Sequence, residues 1–345
     1  MDIRRFGIIG CGFIATIHMD AIRQIEQAAL VGVASRSEER AKAAGDSNGC
    51  AWYTDYRELL ARPDLDFVCV TTGSGSHYAI GMNALHAGKH VVVEKPIAMT
   101  SRQADDMIAL AEHKGLTLTV VSQNRFIPLH RVVYDLLKQG RLGKLLLAEV
   151  SRPFFRTQDY YDSADWRGTI AEDGGAMMNQ GIHSIDLLLW LAGKPKAVIG
   201  RTSTMTHRME AEDMALALLT MESGAFATIL CSTSTSPGFI PTLNLYGELG
   251  AIKIEGSRIT HWSVPGVEMP QIAEDRRVGS GASDPKNVAS EYHRLQLLDT
   301  IRAVEETRNP LVTGEDGKNA VKLIETIVAS SAQNGLSLAF GASCE

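Results

Sequence analysis

Lys95 sits in the run "VVVEKPIA", residues 91–98, where three β-branched residues lead into an acid, a base and a proline. Leaving a charge dry at the end of a buried strand is costly. Two readings account for the Glu94–Lys95 pair: a structural ion pair, or a reaction that needs a lysine. Pro96 keeps Lys95 out of helical geometry, so the lysine projects from a fixed, extended backbone. A second stretch, "DGGAMMNQGIHSIDLLLWLAGKP", carries Asn179, His183 and Asp186, four and three residues apart. On one helix they share a face, opposite the apolar Leu187, Leu188, Trp190 and Leu191. Such a helix presents an amide, an imidazole and a carboxylate. The imidazole is a candidate to move a proton; a satisfied structural hydrogen bond is the alternative.

A third stretch, "GIIGCGFIATIH", carries Gly7, Gly10, Gly12 and Ala15. It follows the first strand and opens a helix, the context that gives a G-x-G-x-x-G/A pattern its meaning. Gly10 allows the tight turn, Gly12 lets the backbone approach a pyrophosphate, and Ala15 lets helix and strand pack closely. The anion then rests on free N–H groups at the positive helix end. Phe13 and Ile14, which open that helix, belong to the same cofactor-binding set. The second strand runs into "VGVASRSEER", with no acid at its tip; Ser35 and Arg36 stand there instead. A hydroxyl and a guanidinium suit a 2′-phosphate, so NADP is favoured over NAD. Arg36 stacking on adenine, or pointing into water, is the competing reading.

These residues need elements to position them. Through residue 122, continuous apolar runs ("RRFGIIG", "ALVGVAS", "FVCVTT", "HVVVEK", "LTLTVV") alternate with helix-like stretches. That pattern is a parallel sheet covered on both faces, and "VVVEKP" then ends at the carboxyl edge, where such sheets bind ligands. Gly88 and Gly115 stop two of the helices. From residue 123 to 345 the strands "LLLAEVSR", "KAVIGRTSTM", "MALALLTM", "AFATILCS" and "TLNLYGE" follow one another, and "AIKIEG" and "RITHWSV" extend them. This predicts a mostly antiparallel α+β domain. Residues 272–290 read as a polar surface loop. Two helices close the chain, and the C-terminal one is a candidate to pack back on the first domain.

With 345 residues the chain is longer than one core normally serves. A net charge of −6 and the absence of a basic stripe argue against a nucleic-acid partner. The longest apolar stretch, "LLLWLA", is far too short to span a bilayer. A strand begins where a signal peptide would need its apolar core, so a cytoplasmic, membrane-free chain is expected. Five scattered cysteines, Cys11, Cys50, Cys69, Cys231 and Cys344, with no C-x-x-C, imply neither a disulfide framework nor a metal site.

Together the motifs "AGKHVVVEKPIA", "GRLGKLLLAEV" and "DWRGTIAEDGGAMMNQGIHSIDLLLWLAG", after the glycine loop, resemble the glucose–fructose oxidoreductase / inositol dehydrogenase (Gfo/Idh/MocA) family over nearly the whole chain. The resemblance implies a Rossmann doubly wound parallel sheet, then an α+β domain with a large, mostly antiparallel open sheet that builds a homodimer or homotetramer. It implies an NAD(P)-dependent oxidoreductase acting on a secondary alcohol of a sugar, glycoside, nucleotide-sugar or inositol. Lys95 and His183 would flank the nicotinamide and the reacting carbon. Asn179 stands where inositol dehydrogenase-like members place an aspartate; its amide orients a hydroxyl but accepts no proton. "TTGSGSH" departs from the commoner T-P-N-x-x-H loop, yet Thr71, Thr72, Ser74 and His77 would still line the cofactor.

Removing a hydride from an alcohol requires loss of its O–H proton. A neutral imidazole, with an unperturbed pKa of about 6.5, suits that role near neutral pH. His183 is therefore assigned as base in oxidation and acid in reduction, with Lys95 stabilising the developing alkoxide. The inverse, Lys95 as base, holds if burial depresses its pKa. Glu94 would hold the lysine or touch the cofactor. By resemblance Trp166 and Arg167 lie at the nicotinamide end, a core Trp and a surface Arg being the alternative; Asn124 and Arg125, which begin the second domain, should line the cleft, and Tyr160, Tyr161 and Asp162 are candidates for sugar contact, with a plain aromatic loop as the competing reading. His293 reads as structural, with a chance of reaching the substrate. The other histidines, His18, His86, His90, His113, His130, His207 and His261, are read as bystanders. Two other function classes remain: a glycoside hydrolase using bound NAD as an internal redox catalyst, and a non-catalytic NAD(P)-dependent sensor.

Overall fold

The apolar runs of the first 122 residues become a six-stranded, all-parallel sheet: β1 (Arg4–Ile9), β2 (Ala28–Ala34), β3 (Ala51–Tyr53), β4 (Phe67–Val70), β5 (His90–Val93) and β6 (Leu118–Val120), in the order β3-β2-β1-β4-β5-β6. The computed structural model describes residues 3–275 and 290–342. β4 is buried throughout, as are the last residues of β1 and β5. This is why those strands read as continuous apolar runs. Helices α1 (Phe13–Arg23), α2 (Glu38–Asn48), α3 (Tyr56–Leu60), α4 (His77–His86) and α5 (Ser101–Lys114) connect the strands. Strand order reverses between β1 and β4, so the tips of these two strands flank the switch point where ligands of such sheets bind. β3 and α3 were not foreseen; three half-buried residues are too few to show a period.

Capping separates α1 from its neighbours. Ser37 and Thr100 accept backbone N–H bonds at the starts of α2 and α5, and both helices end on a left-handed glycine, Gly49 and Gly115. α1 begins at Gly12 with no side-chain cap. Its first N–H groups are left for something other than the chain's own side chains.

The second sheet is built from the later strands. α6 (Pro128–Lys138) precedes β7 (Leu145–Pro153), and the short α7 (Gln158–Asp162) follows it. A π-helical turn, Met177–Gly181, runs into α8 (Ile182–Ala192), which packs on β7. Then come β8 (Pro195–Ser203), β9 (Met214–Met221), β10 (Phe226–Ser232), β11 (Thr242–Gly247), β12 (Ala251–Glu255) and β13 (Arg258–Ser263). The order is β13-β12-β11-β7-β10-β9-β8-β14, where β14 is the closing two-residue strand Leu338–Ala339. β7 and β10 run parallel; every other pairing is antiparallel. Alternation is clean: Val198, Leu219, Ala227, Ile229 and Leu245 are buried, while Ile199, Leu216, Leu218 and Phe226 on the opposite face are 38–55% exposed.

The chain divides into two compact units, Met1–Gln123 with Ala289–Lys318, and Asn124–Val288 with Asn319–Glu345. The expected boundary at 122/123 thus meets a split at Gln123, but the expected assignment of all of 123–345 to the second domain does not match this division. α9 (Ser290–Glu305) returns to the first unit, where its Leu297 and Ile301 join the core of Phe6, Ile8, Met19 and Ile22. Gln296 of α9 is 2% exposed; it accepts from Ser122 N at 3.0 Å and donates to Val120 O at 2.7 Å. The final helix, α10 (Gly314–Ala332), is divided between the units after Lys318. Most of the expected 272–290 loop, and Cys344, lie outside the described residues.

Candidate functional site

In the first unit the geometry gathers at the carboxyl tips of β1, β2, β4 and β5. Gly10 has φ +103°, and a Cβ there would lie 2.8 Å from the Thr71 backbone and 2.8 Å from Thr72 Cγ2. Only glycine fits that turn. A Cβ at Gly12 meets nothing within 4 Å. Gly12 is therefore open on the side where a ligand approaches the uncapped start of α1, and Ala15 behind it is fully buried. Phe13, the next residue, is 41% exposed. Ser35 Oγ caps Ser37 N, while Arg36 is exposed and makes no hydrogen bond or ion pair among the described residues. These residues fit a dinucleotide: an open glycine, free helix N–H groups and an uncommitted guanidinium at the tip of β2.

Three expected cofactor contacts turn inward instead. Thr71 is 4% exposed and donates to Gly10 O at 2.7 Å. His77 is 1% exposed, with Nδ1 2.7 Å from Pro96 O and Nε2 3.1 Å from Thr72 O. Burial pushes its ring below the usual histidine range, and its two nitrogens tie the β4 loop to the loop after β5. Thr72 and Ser74, by contrast, are half-buried on that loop.

Glu94 is the third. Its carboxylate lies 2.9 Å from His18 Nε2, and His293 Nε2 lies 3.9 Å from the same oxygen. Burial alone would push the Glu94 carboxyl up; hydrogen bonding and charge from His18, with His293 and Lys95 nearby, bring it down to about 2. Burial likewise pushes His18 down, but the Cys69 sulfur and the Glu94 carboxylate raise it to about 10. The pair is a buried imidazolium–carboxylate contact. The other Glu94 oxygen accepts from Lys95 N at 3.2 Å. Glu94 thus holds the backbone of Lys95, whose bond to Pro96 is cis. No metal was expected, yet the ligand atoms of His18, Glu94 and His293 lie within 4.8 Å of one another. His18 was read as a bystander. Its spacing held the signal: Ala15 and Ile22, three before and four after, are core residues, so His18 had to be buried and to find a partner.

In the second unit Asn179 and His183 are half-buried. Their shared face with Asp186 does not survive as expected, because the turn carrying Asn179 is π-helical and Asp186 faces inward. Asn179 donates to the Asp173 carboxylate, and Asp173 also accepts from Gly168 N at 2.8 Å. Glu212 Oε1 accepts from Met177 N at 2.9 Å; burial raises its carboxyl to about 7. A Cβ at Gly175, φ +81°, would lie 2.2 Å from that carboxylate, which accounts for the second glycine of "DGGAMMN".

Arg125 corrects another expectation. It is 2% exposed and grips Asp186 with Nη2 at 2.6 Å and Nε at 2.9 Å. Its guanidinium lies 5.5 Å from the centre of the Trp190 ring, which stacks on Tyr134. A guanidinium committed to a buried carboxylate anchors α8; it does not reach for a substrate. Asn124 is half-buried, with its carbonyl 2.8 Å from His130 Nδ1. Trp166, Tyr160 and Arg167 form one cluster, Arg167 lying 4.1 Å from the Tyr160 ring centre and 4.6 Å from that of Trp166. Tyr161 is buried, its hydroxyl 2.7 Å from Thr233 Oγ1, while Asp162 is exposed. His207, another presumed bystander, sits between the Asp213 carboxylate and Arg156 O, 2.9 Å from each.

Residues 4–122 match the oxidoreductase family model of the NAD-binding Rossmann fold, and residues 130–253 match the GFO/IDH/MocA C-terminal domain. The WlbA dehydrogenase of Bordetella pertussis, solved with NADH and UDP-GlcNAcA, is 30% identical, with a TM-score of 0.87 over 98% of both chains. The D-apiose dehydrogenase of Paraburkholderia graminis is 32% identical over 234 residues, 67% of this chain and 61% of that one. The NADP(+) scyllo-inositol 2-dehydrogenase of Bacillus subtilis is 25% identical over 348 residues, 96% of this chain and 94% of that one. All three are dehydrogenases, so the glycosidase and sensor readings find no support among them. No helix among the described residues is long and apolar enough to cross a membrane. With both halves of the chain matched and a full-length likeness at this level, the chain belongs to the Gfo/Idh/MocA family of oxidoreductases.

Proposed function

We propose that the chain reversibly oxidises a secondary alcohol of a sugar, glycoside, nucleotide-sugar or inositol, with NADP favoured over NAD. The observation that carries this reading is the anchoring of Lys95. Glu94 holds its backbone N–H, His18 holds Glu94, and His77 fastens the carbonyl of Pro96. This network fixes one lysine at the carboxyl end of β5, the edge where ligands of open α/β sheets bind.

Bound nicotinamide supplies the hydride acceptor or donor. The glycine loop, the α1 N-terminus and Thr72 and Ser74 would hold the dinucleotide, with Ser35 and Arg36 at a 2′-phosphate. His183 takes the alcohol proton in oxidation and returns it in reduction. The Lys95 ammonium stabilises the developing alkoxide. Asn179, steadied by Asp173, orients a substrate hydroxyl. The half-buried Trp166 shields the reacting centre from water. The exposed apolar face of the second sheet, with Ile199, Leu216, Leu218 and Phe226, supports a homodimer or homotetramer; a single-chain mass by light scattering would exclude it.

Assaying sugars, inositols and nucleotide-sugars with NAD and NADP separately, at the reduced-nicotinamide absorbance, tests the reaction. Lys95→Ala and His183→Ala should each lower kcat by about 10²- to 10⁴-fold while cofactor binding persists. Turnover that survives both changes overturns the assignment.

A further inference from the structure

Three arginines of the second unit interleave with aromatic rings in a continuous ladder. The Arg152 guanidinium lies 4.4 Å from the Phe154 ring centre, and Arg156 lies 5.4 Å from the same centre. Arg156 also reaches within 5.5 Å of the Tyr160 ring centre. Arg167 follows at 4.1 Å from Tyr160 and 4.6 Å from Trp166. Strand alternation explains the first half, because Arg152 and Phe154 point to the same side of the chain. At the Arg152 end, Nη1 lies 3.5 Å from Ser184 Oγ, the residue after His183.

Aromatic faces steady guanidinium groups but do not neutralise them. Arg152 and Arg167 form no ion pair among the described residues, and the Nε of each is buried with no hydrogen-bond partner. Leaving such donors unmade is expensive, so each needs a partner that the described residues do not supply. Burial, with Arg156 beside it, pulls Arg152 down to about 10, and Arg167 acts on Arg156 in the same direction. Two acids of this unit are engaged elsewhere: Asp213 by Met205, Thr206 and His207, and Asp173 by Gly168 and Asn179. The cavity bordering Arg152 and Ser184 measures about 60 Å³. It has room for a water or two and none for a sugar.

We propose that the Arg152–Arg156–Arg167 ladder is the seat of an oxyanion carried by the substrate, a sugar carboxylate or phosphate, and that it selects acidic sugars over neutral ones. This rests on the sugar dehydrogenase reading above. Planar guanidiniums recognise carboxylate and phosphate oxygens in pairs, and lysine does not reproduce that geometry.

Calorimetry on the full chain saturated with reduced cofactor tests this without turnover. The probes are glucose, glucuronate and UDP-glucose. Glucuronate or UDP-glucose should bind at least about ten-fold more tightly than glucose, the worth of one charge-assisted hydrogen bond. Glucuronate alone identifies a carboxylate, UDP-glucose alone a phosphate. Arg152→Gln and Arg167→Gln should each erase that preference, and Arg167→Lys should restore it only in part. Equal binding of all three probes to the unaltered chain overturns the proposal even if a variant fails to fold. So does a preference that survives Arg167→Gln. Oxidation of a neutral sugar with no acidic preference would sink the ladder and keep the dehydrogenase; tight acidic binding with no hydride transfer to any probe would do the reverse.

Discussion

His18 Nε2 and Glu94 Oε1 lie 2.9 Å apart at a site where the histidine is 1% and the glutamate 6% exposed. The contact fixes the residue before Lys95, so its protonation matters to the loop that carries that lysine. His18 is raised to about 10, so its share of stability is complete below the unfolded histidine value of about 6.5 and fades as pH rises toward about 10. Glu94 is lowered to about 2, so its share is complete above the usual carboxylate range and is lost as pH falls toward about 2. The two overlap most fully between about pH 5 and 6.5. His18→Gln leaves a buried carboxylate without its cation and should cost about 3 kcal/mol in that window. By pH 10 the gap to the unaltered chain should have narrowed. Thermal unfolding across pH 5 to 10 checks this; a gap that does not change with pH removes the ion pair from the account.

Gly10 and Gly12 are two residues apart and should fail differently. At Gly10 an added Cβ meets backbone atoms of Thr71 at 2.8 Å, on a φ of +103°. Gly10→Ala should therefore lower the melting temperature, because the neighbour is backbone and the conformation is one that side chains resist. At Gly12 the Cβ meets nothing. Gly12→Ala should leave the melting temperature near its original value and weaken dinucleotide binding by about ten-fold or more, since the methyl occupies the ligand's approach. Differential scanning calorimetry beside cofactor titration separates the two. Equal loss of stability in both variants would mean that Gly12 serves only the fold.

Legibility followed the length of the signal. Continuous apolar runs such as Phe67–Val70, buried along their whole length, announced a parallel sheet. Met214–Met221 is nearly all apolar, so its sequence did not announce the alternating burial that the strand shows. Three-residue β3 and two-residue β14 carried no period. The tight turn at Gly10 was readable because it follows from local backbone. Arg125 was not. Its partner, Asp186, is 61 residues away, and nothing local says whether an arginine faces a cleft or a buried acid. The same holds for Glu94 and His18, 76 residues apart, and for Gln296, whose partners in β6 and at Ser122 lie more than 170 residues back. The π-helical turn was hidden for another reason. "MMNQGIH" has an ordinary helical composition, and only the packing of Gly181, where a Cβ would come 2.8 Å from Cys231 Sγ, marks it as special.

The proposed preference for NADP rests on Arg36. It follows Ser35 at the tip of β2, is exposed, and forms no ion pair among the described residues, so its charge is available to a ligand. A carboxylate in that position would bind ribose hydroxyls and repel a phosphate; a guanidinium does the opposite. Charge-assisted hydrogen bonds contribute about 1.5–3 kcal/mol, or roughly 10- to 100-fold in affinity. Arg36→Ala should therefore raise the KM for NADPH by about that factor and leave the KM for NADH nearly unchanged. Arg36→Asp should go further and reverse the preference, because it restores the acid that the strand lacks. Because the side chain is solvent-exposed, neither change should move the melting temperature by more than a degree or two, corresponding to about 0.5 kcal/mol. Steady-state kinetics with both cofactors on the three proteins measures this. If Arg36→Ala weakens NADH and NADPH equally, the guanidinium stacks on adenine, and the preference for the phosphorylated cofactor has no basis in this strand.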